Sequence, residues 1–142
     1  MRDRGITLVE LLVVMVLIAI ISGIVGPPAA NRLENLSLQT TASQLAAAFR
    51  KAQAEARISQ TPVAATYSAH QFHFLKGTKE IGTVSLPVSI SPVFESGSET
   101  SILLPSGQIA GLDRLQLLNR NGRKAVIGLG FINGIAVVQD PQ

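Results

Sequence analysis

Glu10 is the only charged side chain in residues 6–25, ITLVELLVVMVLIAIISGIV, a stretch of twenty residues that is otherwise apolar or small. A carboxylate placed in hydrocarbon costs about 2.5–3.5 kcal/mol at the bilayer centre on insertion scales, and less near an end. A chain that keeps such a group uses it. Glu10 sits about one helical turn after Gly5–Ile6, the junction where the polar leader MRDRG meets the apolar run. That spacing points to a cleavage point at the junction and to a cationic partner for the acid.

Other chemistry is thin. His70 and His73 stand three apart in AHQFHF; on a strand they face opposite sides, poor geometry for one metal. Hydroxyl residues crowd 96–101, with no histidine and aspartate near in sequence, so a loop is expected there and not a nucleophile. Gly128-Leu129-Gly130 has no following helix and makes no phosphate loop. Asp113 and Asp140 are isolated, and the absence of cysteine excludes a disulfide or a thiolate nucleophile. No enzyme, cofactor or metal is expected. One basic patch remains: Arg114, Arg120, Arg123 and Lys124 gather around Asn121-Gly122. It carries no interleaved aromatic to stack a base, and phosphate contacts alone give only salt-sensitive, non-specific affinity.

The elements that must position these groups follow from patterning. Twenty residues at about 1.5 Å rise cover the roughly 30 Å of a bilayer core, and the run is too long for the apolar core of a secretory signal. A membrane-spanning helix over 6–26 is therefore expected, retained after the leader 1–5 is removed. Arg2 and Arg4 precede the span and the next basic residue is Arg32, which favours a cytoplasmic N-terminus. Beyond Pro27-Pro28, Leu38, Ala42, Leu45, Phe49, Ala52 and Ala56 recur at intervals of 4, 3, 4, 3 and 4, one stripe of a helix over 27–60. Ser43, Ala47, Arg50, Lys51 and Ala54 fall on the reverse face. From 61 to 142 the pattern breaks into short β-rich runs: PVAATYS, QFHFLK, IGTVSL, VSISPVF, SILLP, RLQLLN, KAVIGLG and IAVVQ. Asn121-Gly122 and Asn133-Gly134 read as two-residue hairpin turns with positive φ at both positions. With 142 residues and a membrane helix there is room for one small head. The net charge of +3 falls to +2 without the leader, too little to imply nucleic acid by itself.

Gly5 followed by ITLVELLVVMVLIAI resembles the class III signal of type IV prepilins and type II secretion pseudopilins. The resemblance implies cutting after Gly5 by a prepilin peptidase, which then methylates the new N-terminus at Ile6. The family usually has Phe there. Glu10 matches the family's glutamate at the fifth mature position, where it pairs with a neighbouring subunit's N-terminal amine during assembly. Pro27 matches the proline that kinks the N-terminal helix. The fold implied is α+β and pilin-like: a long kinked N-terminal helix, transmembrane in its first half, packed on a small antiparallel β-sheet head. LAAAFRKAQAEARISQTPVAAT, and the segment from SILLPSGQIAG through LQLLNRNGRKAVIGLGFINGIAVV, resemble the H-type minor pseudopilin domain. The implied role is a structural subunit helping to assemble or cap the periplasmic pseudopilus in the bacterial inner membrane, with other pseudopilins as partners. The alternative is a minor type IV pilin whose head binds DNA, since related minor pilins use a basic, glycine-containing segment that NRNGRK resembles. Nucleic acid is the less expected partner.

Overall fold

The computed structural model describes the backbone of residues 7–95, 98–129 and 136–139, and their side chains apart from 23–31 and 136–139. Among the described residues, one helix, α1 (Leu8–Ser59), is followed by nine strands: β1 (Val63–Ser68), β2 (Gln71–Lys76), β3 (Lys79–Ser85), β4 (Ile90–Phe94), β5 (Thr100–Leu103), β6 (Ile109–Ala110), β7 (Arg114–Asn119), β8 (Lys124–Gly128) and β9 (Ala136–Gln139). Two compact units divide between Leu33 and Glu34.

The first unit holds the start of α1. Thr7 caps it: its Oγ1 accepts from the Glu10 amide at 3.3 Å, and its carbonyl accepts from Leu11 at 3.2 Å. The described side chains from Leu8 to Ser22 are exposed on every side of the helix. A helix apolar all round has no face for water and needs lipid or protein around it. Among the described residues no helix is long and apolar enough to cross a membrane; the expected span also takes in Ile6 and the side chains of 23–26, which lie outside them. Helix is assigned unbroken through Pro27 and Pro28, whose side chains also lie outside the described set.

In the second unit the expected stripe is the buried one. Leu38, Ala42, Leu45, Phe49, Ala52 and Ala56 are all buried, joined by Thr41 and Ala46, while Ser43, Ala47, Arg50, Lys51 and Ala54 are exposed. The helix stops where Gln60 turns left-handed at φ 51° and Pro62 forbids continuation. The Gln60 Nε2 donates to the Arg57 carbonyl at 2.7 Å.

The antiparallel β head expected from the sequence is present, and among the described residues it is built as two sheets. One runs β3-β2-β1-β5-β6 and the other β4-β7-β8-β9. All eight expected strands are present, and the two-residue β6 is added. Burial alternates along β1, β2, β7 and β8, so Val63, Ala65, Phe72, Phe74, Leu115, Leu117, Ala125 and Ile127 point inward. Pro92 is tolerated because β4 is an edge strand. Phe49 meets Phe74 and Phe72 edge-on, at centroid distances of 5.2 and 6.1 Å. Phe72 and Tyr67 then reach Phe94 on the second sheet at 6.3 and 5.8 Å. A chain of aromatic contacts thus ties helix and both sheets.

The turns correct two readings. The Asn121-Gly122 pair does not form a two-residue turn. Asn119 and Arg123 close the loop, with Asn119 N donating to Arg123 O at 3.0 Å and Gly122 N to Asn119 O at 3.1 Å. Only Gly122 has positive φ, 77°, as in a type I turn with a following left-handed glycine. The buried Asn119 is the reason: its Oδ1 accepts from the Arg123 amide at 2.9 Å and holds the longer loop closed. Asn133-Gly134 lies outside the described residues, though β8 and β9 do pair as a hairpin would require. The mirror-image two-residue turn occurs instead at Ala69-His70, between Ser68 and Gln71, with φ of 48° and 62°.

L-residues with side chains resist that conformation by roughly 1–2 kcal/mol each. Replacing Ala69 with Asn and His70 with Gly should therefore stabilise the head by about 1 kcal/mol, after the entropic cost of the new glycine. The midpoint of urea unfolding of the detergent-solubilised chain measures this; a lowered midpoint would contradict the turn geometry.

Candidate functional site

Gly5 and Ile6 lie outside the described residues. Glu10, one turn into α1, is exposed. The Thr7-Leu8-Val9-Glu10 segment has the spacing of a capping box, and an acid in the first turn also suits the positive end of the helix dipole. Sequence patterning missed this local role; the T-x-x-E spacing would have revealed it. The same carboxylate therefore has a structural reason to sit in the first turn, and its exposure leaves it open to a cation brought by a partner.

The basic patch does not stay together. Arg114 begins β7 and pairs with Gly128, whereas Leu118 pairs with Lys124. Arg114 is thus at the far end of the β7–β8 hairpin, about 15 Å from the tip at strand rise. Arg120, Arg123 and Lys124 do share the tip, and all three are exposed. The tip is fastened to the helix: Asn119 Nδ2 donates to Asn35 Oδ1 at 3.3 Å. Spacing in sequence could not show this tie, because the two asparagines are 84 residues apart.

At the other end of the head-bound helix, Glu55 accepts from Lys76 at 2.6 Å. That hydrogen bond first, and the lysine charge second, hold the Glu55 carboxyl below its ordinary value. Gln53 donates to the Gly107 carbonyl at 2.5 Å. A Cβ on Gly107 would run into the Arg57 guanidinium, and the φ of 92° also requires glycine. An open cleft of about 440 Å³ lies between this part of α1 and edge strand β3, lined by Lys51, Phe74, Lys79, Ile81 and Val84 among others. Its two carboxylates are committed, Glu55 to Lys76 and Glu80 to Thr83 and His73. The Thr83 hydroxyl and then the His73 ring hold the Glu80 carboxyl low. Tyr67, in the aromatic chain, is raised by burial and then by the charge of Glu99.

His70 is in the β1–β2 turn and His73 is on β2 with its Nδ1 3.0 Å from Glu80 Oε1, so they form no common site. Ser98 is engaged with Thr100, its Oγ donating to the carbonyl at 2.8 Å; Ser96 and Gly97 lie outside the described residues. Among the described residues no cluster of three metal-ligating side chains occurs.

Residues 1–26 match the prokaryotic N-terminal methylation motif. Among solved structures, the minor pseudopilin EpsH of the Vibrio cholerae Type 2 Secretion System is similar over 75% of this chain and 99% of that chain, at 14% identity and a TM-score of 0.62. The type IV minor pilin FimU of Pseudomonas aeruginosa is similar over 76% of this chain and 91% of that chain, at 13% identity and a TM-score of 0.58. A second crystal form of FimU gives 73% and 93% coverage, 14% identity and a TM-score of 0.54. No curated protein sequence matches the chain. At these identities the structural likeness is one of fold, and the fold is pilin-like.

Because Glu55 and Glu80 bind protons less readily folded than unfolded, their stabilisation is present above the ordinary carboxylate value of 4.5 and is lost as pH falls through their lower folded values. The double variant Glu55→Gln/Glu80→Gln should lose stability less steeply than the parent below that pH. Urea midpoints measured across an acid series would show it, and parallel slopes would contradict it.

Proposed function

We propose that this chain, which carries a prepilin methylation motif and a pilin-like head, is a minor pseudopilin of a type II secretion machine. It is a non-enzymatic structural subunit that helps to assemble or cap the periplasmic pseudopilus. The observation that carries this reading is the conjunction of a methylation motif on residues 1–26 with a fold similar to that of EpsH over 75% of the chain. The motif implies processing by a prepilin peptidase and assembly with other pilin-like subunits. Cleavage falls after Gly5, the new N-terminus at Ile6 is methylated, and the apolar run anchors the subunit in the inner membrane with its N-terminus cytoplasmic. Pro27 is the point at which the helix bends on entering the filament.

Physics gives Glu10 its role. The amine at Ile6 is a cation in an apolar setting, as costly alone there as the carboxylate. Each subunit's amine can pair with the Glu10 of a neighbour, and removing one partner of such a buried pair costs about 3–5 kcal/mol. The pair therefore acts as a register between subunits. A second reading, a minor subunit of a type IV pilus, is supported by the likeness to FimU. Its DNA-binding form loses ground because Arg114 stands apart from the other three cations, leaving too few contacts for more than weak phosphate binding.

Three outcomes test the reading. N-terminal mass spectrometry of membrane-extracted protein should show a methylated Ile6; a mature chain beginning at Met1 would sink the prepilin assignment. In the native host, loss of the gene should abolish protein secretion and leave pili intact, with the opposite pattern favouring the pilus. Glu10→Leu should be inserted and cleaved as well as the parent, since a costly polar group is gone, yet fail to restore secretion. Restoration at the parent's level would remove Glu10 from the assembly mechanism.

A further inference from the structure

The β7–β8 tip has a location that the functional reading does not use. Asn119 opens the tip, is buried, and is hydrogen-bonded to Asn35. Asn35 lies in the opening turn of the second unit, which starts at Glu34. The tip therefore stands at the end of the head where the chain arrives from the apolar run, not at the end where Glu55 meets Lys76. Those two ties are 20 residues apart on α1, about 30 Å at helical rise.

The distance along the chain is short. Asn35 lies only ten positions after Val25, the end of the apolar run. That interval spans about 15 Å as helix and about 35 Å fully extended. When the apolar run is in a bilayer, the tip is thus tethered close to the headgroups. What it offers them is basic. Arg120, Arg123 and Lys124 are exposed, and among the described residues none of them makes an ion pair. Glu34, near Asn35, is the opposing charge; its Oε2 is buried and has no hydrogen-bond partner. Among the described residues, three cations stand against one partly buried carboxylate, which leaves this end net positive.

We infer that the β7–β8 tip is a docking surface for anionic phospholipid headgroups, holding the head against the membrane while the subunit waits to be assembled. The inference rests on the membrane-anchored reading above. Guanidinium groups suit phosphodiesters because they present paired donors, and the closed loop around Asn119 holds their backbone in place. Contact of this kind is weak and reversible, as a subunit that must leave the membrane requires. It would also orient the head before its incorporation into a filament.

The chain lacks cysteine, so a single label is easily placed. Ser91 is exposed on β4 and pairs with Leu118, next to the tip. The full chain carrying Ser91→Cys and a fluorophore would be reconstituted into nanodiscs bearing headgroup-attached quencher. Discs would be either phosphatidylcholine alone or roughly one-third phosphatidylglycerol. Quenching should be stronger in the anionic discs. The docked-to-undocked ratio should rise by up to roughly 100-fold, from about 1 kcal/mol per basic residue and about 1.4 kcal/mol per tenfold. It should fall back in about 0.5 M salt, where screening is short-ranged, and in the variant Arg120→Gln/Arg123→Gln/Lys124→Gln. Equal quenching in both discs, or an unaltered effect in the triple variant, would overturn the inference. Relief of quenching in the anionic discs by double-stranded DNA at physiological salt would overturn it in favour of a nucleic-acid surface. Co-elution of chain and disc separates the two layers: a chain that leaves the discs refutes the membrane anchor, whereas one that stays but shows no lipid dependence refutes only the docking.

Discussion

The head depends on one ring. Phe49 is fully buried at the middle of the helix stripe and meets Phe72 and Phe74 edge-on. Leu45 precedes it on the stripe, and Ala42, Ala46, Ala52 and Ala56 make up most of the rest of the buried face. Small residues on either side let the helix lie close to the sheet, and the large ring fills the space left between strands. Removing a buried phenylalanine costs about 3–5 kcal/mol, a large fraction of what holds a small domain. The same ring also organises the second sheet, because Phe72 and Tyr67 pass the contact on to Phe94. The two sheets are therefore parts of one packed core.

Around that core the polar ties are few, and each secures an end. Asn35 with Asn119 holds the β7–β8 tip, Glu55 with Lys76 holds β2, and Gln53 with Gly107 holds the turn between β5 and β6. None is worth much alone; exposed ion pairs contribute little. Their value is registry, since a helix with an alanine-rich face could slide by a turn without losing much apolar burial. The outward face of the same helix, with Ser43, Ala47, Lys51 and Ala54, is left uncovered. Small residues there leave room for the close approach of another helix.

The two ends of the chain solve opposite solvent problems. The described residues from Leu8 to Ser22 bury nothing within their own helix and find no water-compatible face, whereas the head hides its apolar residues by alternation along strands. One carboxylate, Glu10, links the two problems. It belongs to a segment that water cannot surround, and its position in the first turn of the helix is favourable for the helix dipole.

Much of this was legible in the residues. The apolar run, the stripe from Leu38 to Ala56 and eight strands follow from periodicity, because burial on one face repeats every 3.6 residues in a helix and every 2 in a strand. Glycine-based turn rules were less sound. Asn121-Gly122 gave way to a longer loop because the Asn119 side chain bonds across it, and the left-handed turn fell on Ala69-His70, which carries no turn signal. Patterning in a single chain also cannot show which charges meet. Arg114 parted from Arg120, Arg123 and Lys124 once the hairpin was closed, and Asn35 met Asn119 across most of the chain. Local periodicity is a property of neighbours in sequence, so the sequence determines which faces are apolar. Sheet order, the division into two sheets and the placing of the basic tip depend on contacts between distant residues, and only the tertiary structure decides them.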